Sequence, residues 1–117
     1  MATPEAKVKA KVKAALDKYG VYYFMPATHG YGSSGVPDII VCMQGRFIGI
    51  ECKAKGNKPT ALQMRNLVAI ATSGIAIIVD ETGIGAFQSL IDLWAQASIP
   101  NGGQLFTIFN NAEATTV

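Results

Sequence analysis

Gly35-Val36-Pro37-Asp38-Ile39-Ile40-Val41-Cys42-Met43-Gln44-Gly45-Arg46-Phe47-Ile48-Gly49-Ile50-Glu51-Cys52-Lys53 is the stretch on which the reading of this chain turns. Ile39 to Met43 and Phe47 to Ile50 are short apolar runs of strand length, and Gln44-Gly45 between them is a tight-turn signal, so the pair predicts a β-hairpin. Side chains alternate along a strand, so Glu51 and Lys53 face one way while Ile50 and Cys52 face the other, toward a core. Asp38 opens the partner strand and reaches the same face across the hairpin if the register is right. Two oxygen ligands for a hard divalent cation would then lie beside an ammonium group.

A Glu and a Lys two apart on a strand also describe a solvated face with a weak ion pair, and Pro-Asp is a common turn starter. The whole pattern separates the readings: Gly35-x-Pro37-Asp38, then 12 residues between Asp38 and Glu51, then Glu51-x-Lys53, then Gln63 opening the next helix. With these motifs in this order, the chain resembles the PD-(D/E)xK nuclease superfamily. Within it the likeness is to the VRR-NUC family, over roughly residues 5 to 80, and to its small stand-alone members of phages and prophages. The resemblance implies catalytic roles for Asp38, Glu51, Lys53 and Gln63. It also implies a site for Mg²⁺ or Mn²⁺ formed by Asp38, Glu51 and the backbone carbonyl of Cys52, with Glu5 of the first helix as a further ligand.

At 117 residues, half of them apolar and 15% charged, the chain fits one compact domain, expected over residues 1–109 with a polar tail at 110–117 that frays. No apolar stretch approaches the roughly 20 residues of a membrane helix, and Met1-Ala2-Thr3-Pro4-Glu5 lacks a signal peptide's apolar core. A protein of the cytoplasm is expected, in a bacterial host if the phage resemblance holds. Cys42 and Cys52 have no metal-finger spacing and read as small buried hydrophobes rather than a disulfide. All ten Lys and Arg lie in residues 1–65 beside four acids, whereas residues 66–117 hold four acids and no basic residue. Such polarity suits a polyanion bound by the first half, and it equally suits an acidic protein partner.

Pro4 to Tyr19 reads as a helix capped by Thr3, with Val8, Val12, Ala15 and Leu16 as its apolar stripe. Its lysines, Lys7 and Lys11 among them, serve either solubility or phosphate contact. Glu5 in the first turn suits the helix dipole as well as it suits a metal. Val21 to Met25 is a strand, followed by a glycine-rich loop in which Gly30, Gly32 and Gly35 spell G-x-G-x-x-G. A strand rather than a helix comes next, which refutes a dinucleotide site. His29 in this loop lacks the partners of a nucleophile triad but can touch a phosphate. Lys55, Lys58 and Arg65 add basic charge around the turn before the second helix, where Thr60-x-x-Gln63 is also a capping box that would occupy the glutamine. Gly74 ends that helix, and Ile75 to Val79 is a strand. Phe87, Leu90, Ile91 and Trp94 mark a third helix, and Leu105 to Phe109 a last edge strand.

The order helix, strand, strand, strand, helix, strand, helix predicts an α/β domain, a small mixed sheet flanked by helices, similar to the restriction-endonuclease-like core. The function expected from the resemblance is metal-dependent hydrolysis of DNA phosphodiesters, leaving 5′-phosphate and 3′-hydroxyl ends. A Holliday-junction resolvase acting as a homodimer on four-way junctions is the favoured form. A nicking or flap nuclease of phage replication, and a non-catalytic nucleic-acid-binding module, are the alternatives.

Overall fold

The computed structural model describes residues 2–27, 35–109 and 115–116. Its elements follow the expected order: α1 (Pro4–Asp17), β1 (Tyr22–Phe24), β2 (Ile39–Met43), β3 (Arg46–Lys53), α2 (Ala61–Ala71), β4 (Ile75–Asp80), α3 (Ile84–Gln96), β5 (Gln104–Ile108) and β6 (Thr115–Thr116). They form one mixed sheet in the spatial order β1-β2-β3-β4-β5-β6.

The β2–β3 hairpin forms where the alternation placed it. Gln44 (φ 51°) and Gly45 (φ 77°) both take the left-handed conformation, the signature of a two-residue turn whose twist matches its strands. This turn sets the antiparallel register, from Met43 opposite Arg46 to Ile39 opposite Ile50. β1 adds to the free edge of β2, antiparallel. On the other side β4 pairs parallel with β3 and β5 parallel with β4, each after a helical crossover, as parallel neighbours require.

Alternation along the strands divides the core into two layers. Ile39, Val41, Ile48, Ile50, Ile75, Ile77 and Val79 face the apolar stripes of α1 (Val8, Val12, Leu16) and α3 (Phe87, Ile91, Trp94). Ala76, Ile78 and Leu105 face Leu67 of α2 on the opposite side. β4, covered on both faces, is a nearly uninterrupted apolar run, as expected of a central parallel strand. Burying a side chain such as Phe87 contributes about 1.5–3 kcal/mol. Both leading helices are capped as their sequences imply: the Ala6 amide donates to Thr3 Oγ1, and Thr60 and Gln63 complete the reciprocal capping box.

β3 runs on through Glu51, Cys52 and Lys53, the residues whose shared face the alternation predicted, because they pair with Ile78, Val79 and Asp80 of β4. Three expectations change. α1 ends at Asp17 rather than Tyr19, and the chain turns out of it through Gly20 at φ 64°. Cys42, expected to be buried, is exposed, whereas Cys52 is fully buried, and both are free thiols. The reason is coverage: α2 packs on β3, β4 and β5, leaving the outer face of β1 and β2 open where Tyr22, Cys42 and Phe47 align in register. Finally, the tail expected to fray carries Thr115–Thr116, which pair antiparallel with Phe106 and Thr107. Among the described residues, no helix is long and apolar enough to cross a membrane.

Candidate metal centre

The centre forms where β2 and β3 cease to match in length. β2 starts at Ile39, directly after Pro37 and Asp38, whereas β3 continues to Lys53. The Cys52 amide therefore points toward β2 with no strand backbone opposite it. Asp38 supplies the missing acceptor, its Oδ2 lying 2.8 Å from the Cys52 nitrogen. In an extended strand a residue's N–H and C=O point to the same side, so the Cys52 carbonyl is directed toward Asp38 as well. The Cys52 side chain goes the other way, into the core, where burial pushes its thiol pKa upward and removes it as a thiolate ligand.

Glu51 lies on the same side as Asp38 and is 1% exposed, yet among the described residues neither of its carboxylate oxygens has a hydrogen-bond partner. Lys53 Nζ approaches Glu51 Oε2 only to 3.8 Å and is itself buried. Burial pushes the Glu51 pKa up to about 8; the adjacent Asp38 carboxylate adds to the rise, Lys53 opposes it, and Glu5 contributes a smaller push. A buried carboxyl without hydrogen bonds is costly to hold ionised, and a divalent cation beside it would remove that cost.

Glu5 arrives from α1. Thr3 takes the capping role, which leaves the Glu5 carboxylate available, and one ligand atom from each of Glu5, Asp38 and Glu51 lies within 4.8 Å of the others. Three carboxylates and a carbonyl form an all-oxygen donor set, and such sets suit Mg²⁺, Mn²⁺ or Ca²⁺ over softer metals. The residues present fit a hard divalent cation.

A cleft of roughly 310 Å³ opens onto Asp38, lined by Lys9, Met25, Pro26, Gly35, Val36, Pro37 and Gln63. Gly35 takes φ 82°, and a side chain there would meet the Leu62 backbone at 2.9 Å, so the loop seats against α2 only with glycine at this position. Gln63 makes the capping box, its Oε1 accepting from the Thr60 amide, and the residue forms part of the cleft wall.

Lys9 is the residue that sequence reasoning passed over. Its Nζ stands 3.3 Å from Asp38 Oδ1, and it follows Glu5 by four residues, one helical turn along the same face. That spacing was the signal available in the sequence. Burial lowers the Lys9 pKa, but Asp38 more than offsets it and the net change is upward. Lys7 and Lys11 are exposed, and at 100° per residue they lie on a different side of α1 from Glu5 and Lys9. Lys55, Lys58 and Arg65 are exposed as well, and the Lys55 backbone amide donates to Glu81 Oε1 at 2.8 Å. His29 lies outside the described residues.

No family model matches the chain. Over 49 residues it is 43% identical to a protein of Acyrthosiphon pisum secondary endosymbiont phage 1 named "Putative nuclease p44", an alignment covering 41% of this chain. The chain spans 53% of that relative's length. A solved structure described as "VRR_NUC domain" superposes with a TM-score of 0.57 at 20% identity, over 84% of this chain and 100% of the other. With its mixed sheet, flanking helices and element order, the chain has the fold of the VRR_NUC domain, a restriction-endonuclease-like arrangement.

Proposed function

We propose that the chain is a metal-dependent endonuclease that hydrolyses DNA phosphodiesters, with Mg²⁺ or Mn²⁺ at the Glu5–Asp38–Glu51 cluster. The observation that carries the reading is Glu51, a buried carboxylate without a hydrogen-bond partner in a cluster of three acids, with an ammonium 3.8 Å away. The phage relative is named as a nuclease, which agrees with it. A divalent ion, when bound, supplies Lewis acidity at the scissile phosphate and lowers the pKa of an attacking water.

In this reading Asp38, Glu51 and the Cys52 carbonyl hold the ion, with Glu5 as a further ligand. Asp38 is fixed by the Cys52 amide, so its other oxygen is pre-oriented rather than mobile. Lys53, with its stem buried, keeps its ammonium at the edge of the cluster, where it orients the water and offsets charge developing on the phosphoryl oxygens. Gln63, held by its capping box, shapes the wall along which the strand runs. Lys55, Lys58 and Arg65 add positive charge beyond β3, His29 is a further phosphate contact, and Lys7 and Lys11, on the other side of α1 from the cluster, add only longer-range attraction.

The favoured substrate is a four-way DNA junction cut by a homodimer. A one-domain nuclease reads DNA shape most simply by pairing two active sites about a two-fold axis. The test is cleavage of an immobile junction by purified protein with Mg²⁺ or Mn²⁺. Paired nicks at symmetry-related positions, faster than cutting of a linear duplex, are expected, together with twice the monomer mass in solution. A monomer that prefers flaps would overturn the resolvase form alone, whereas activity persisting in excess chelator would overturn the metal mechanism. Binding of DNA without cleavage under either metal would favour a non-catalytic module.

A further inference from the structure

The charge balance of the metal centre carries one more step, which rests on the reading of that cluster as a cation site. Among the described residues Asp38 Oδ2 accepts from the Cys52 amide, and Oδ1 takes the Lys9 ammonium at 3.3 Å. An ion that binds Oδ1 therefore meets the Lys9 ammonium already there. Three carboxylates meet two ammonium groups here, and the two differ in freedom: the Lys53 side chain is 10% exposed and the Lys9 side chain 39%. Lys9 is also the one basic side chain among the described residues that line the cleft. An ammonium and a divalent cation sharing one carboxylate repel each other, and the exposed lysine can leave with little loss of buried contact.

We infer that Lys9 is an exchangeable counter-ion of the centre, neutralising Asp38 while no divalent cation is bound and turning into the cleft to meet a nucleic-acid phosphate when one enters. Glu5 and Lys9, one turn apart on α1, then act in sequence at the same site, the first as an anchor for the ion and the second as a clamp on the strand. Lys9 is thus a positioning residue for the substrate, and its two engagements exclude each other.

The test uses Mn²⁺ alone, titrated calorimetrically into nucleic-acid-free protein, for the wild type and Lys9→Met. Methionine keeps the length and helix propensity of the side chain and removes its charge. The variant is expected to bind Mn²⁺ about tenfold more tightly at low salt, because the competing cation is gone. A second measurement follows junction-DNA affinity against salt with Ca²⁺ in place of Mn²⁺. There the slope of log K against log salt is expected to fall by about 0.9, the loss of one phosphate contact. Lys9→Arg should stay near the wild type in both. If Lys9 only braces Asp38, Lys9→Met will bind Mn²⁺ equally or less tightly and keep the wild-type slope, which overturns the inference and leaves the metal centre standing. Wild-type protein that takes up no Mn²⁺ would instead overturn the metal centre, and this inference with it.

Discussion

The two ends of the β2–β3 hairpin carry polar side chains in opposite states of satisfaction. At the turn end, Arg46 donates to the carbonyls of Gln44, Ile99 and Pro100 and to Asn101 Oδ1. Gln44 donates to the carbonyls of Trp94 and Ala97 and accepts from the Ile99 amide. These contacts tie the turn to the end of α3 and the segment after it. At the other end Glu51 is more deeply buried than either and its carboxyl has no hydrogen bond among the described residues, while Asp80, a buried acid on the neighbouring strand, accepts from both the Thr82 amide and hydroxyl. Buried polar groups that serve the fold are satisfied within it, and the one that is not points to a ligand outside the chain.

The contrast is broken most severely at the chemistry. Asp38→Ala, Glu51→Ala and Lys53→Ala are each expected to lower single-turnover cleavage of branched DNA by about a thousandfold or more while the circular dichroism spectrum stays native. Near-wild-type turnover in any one of them would remove that residue from the mechanism.

Next in size is a pH effect on metal-free protein. Folding raises the Glu51 pKa from 4.5 to about 8, so the folded state holds a proton that the unfolded chain has already lost. The stability contributed by that proton is complete below about pH 4.5 and disappears as pH rises through about 8. Thermal unfolding without metal is therefore expected to show stability falling by a few kcal/mol across this window, on the order of 1.4 kcal/mol per pH unit at its steepest. Glu51→Gln should flatten the profile and melt above the wild type at pH 8. A wild-type profile as flat as that of Glu51→Gln would mean that Glu51 has its partner within the chain. Metal uptake near pH 7 should release about one proton, measurable by calorimetry in buffers of different ionisation enthalpy.

The satisfied end predicts the converse. Arg46→Ala or Gln44→Ala should lose about 1–3 kcal/mol of stability at every pH, by leaving carbonyls near α3 without donors. Mn²⁺ affinity should be unchanged in both; a large drop in affinity would show that the two ends are coupled. The smallest effect is expected on the outer side of α1. Replacing Lys7 and Lys11 together with Gln should lower the salt slope of DNA binding by less than Lys9→Met alone, because neither faces the cleft. A larger reduction would place the nucleic acid across that outer face.

Much of this was legible in the residues because it is local. The hairpin follows from an alternating run on either side of Gln44-Gly45. The shared face of Glu51 and Lys53 follows from the two-residue period of a strand. The capping box follows from Thr60 and Gln63 three apart, and the stripe of α1 from a period near four. The structure adds positions that the sequence left open: Gln63 makes its capping box and also lines the cleft, and Glu5 lies beside Asp38 and Glu51.

The sequence by itself determined the elements from α1 to β5, their order and the shared face of Glu51 and Lys53, since these depend on spacing over a few residues and on one tight turn, while the register that brings Asp38 to that face came from the structure. Tertiary structure alone decided the rest. Cys42 became exposed because α2 lies over β3 to β5 and not over β2. Glu51 became a buried carboxyl without a hydrogen bond among the described residues because β4 holds β3 in extended form beyond the point where β2 begins. Lys9 rather than Lys7 or Lys11 reached Asp38 because packing of Val8, Val12 and Leu16 on the sheet sets the rotation of α1. Burial depth and helix rotation arise from contacts between residues distant in the chain, and no local period encodes them.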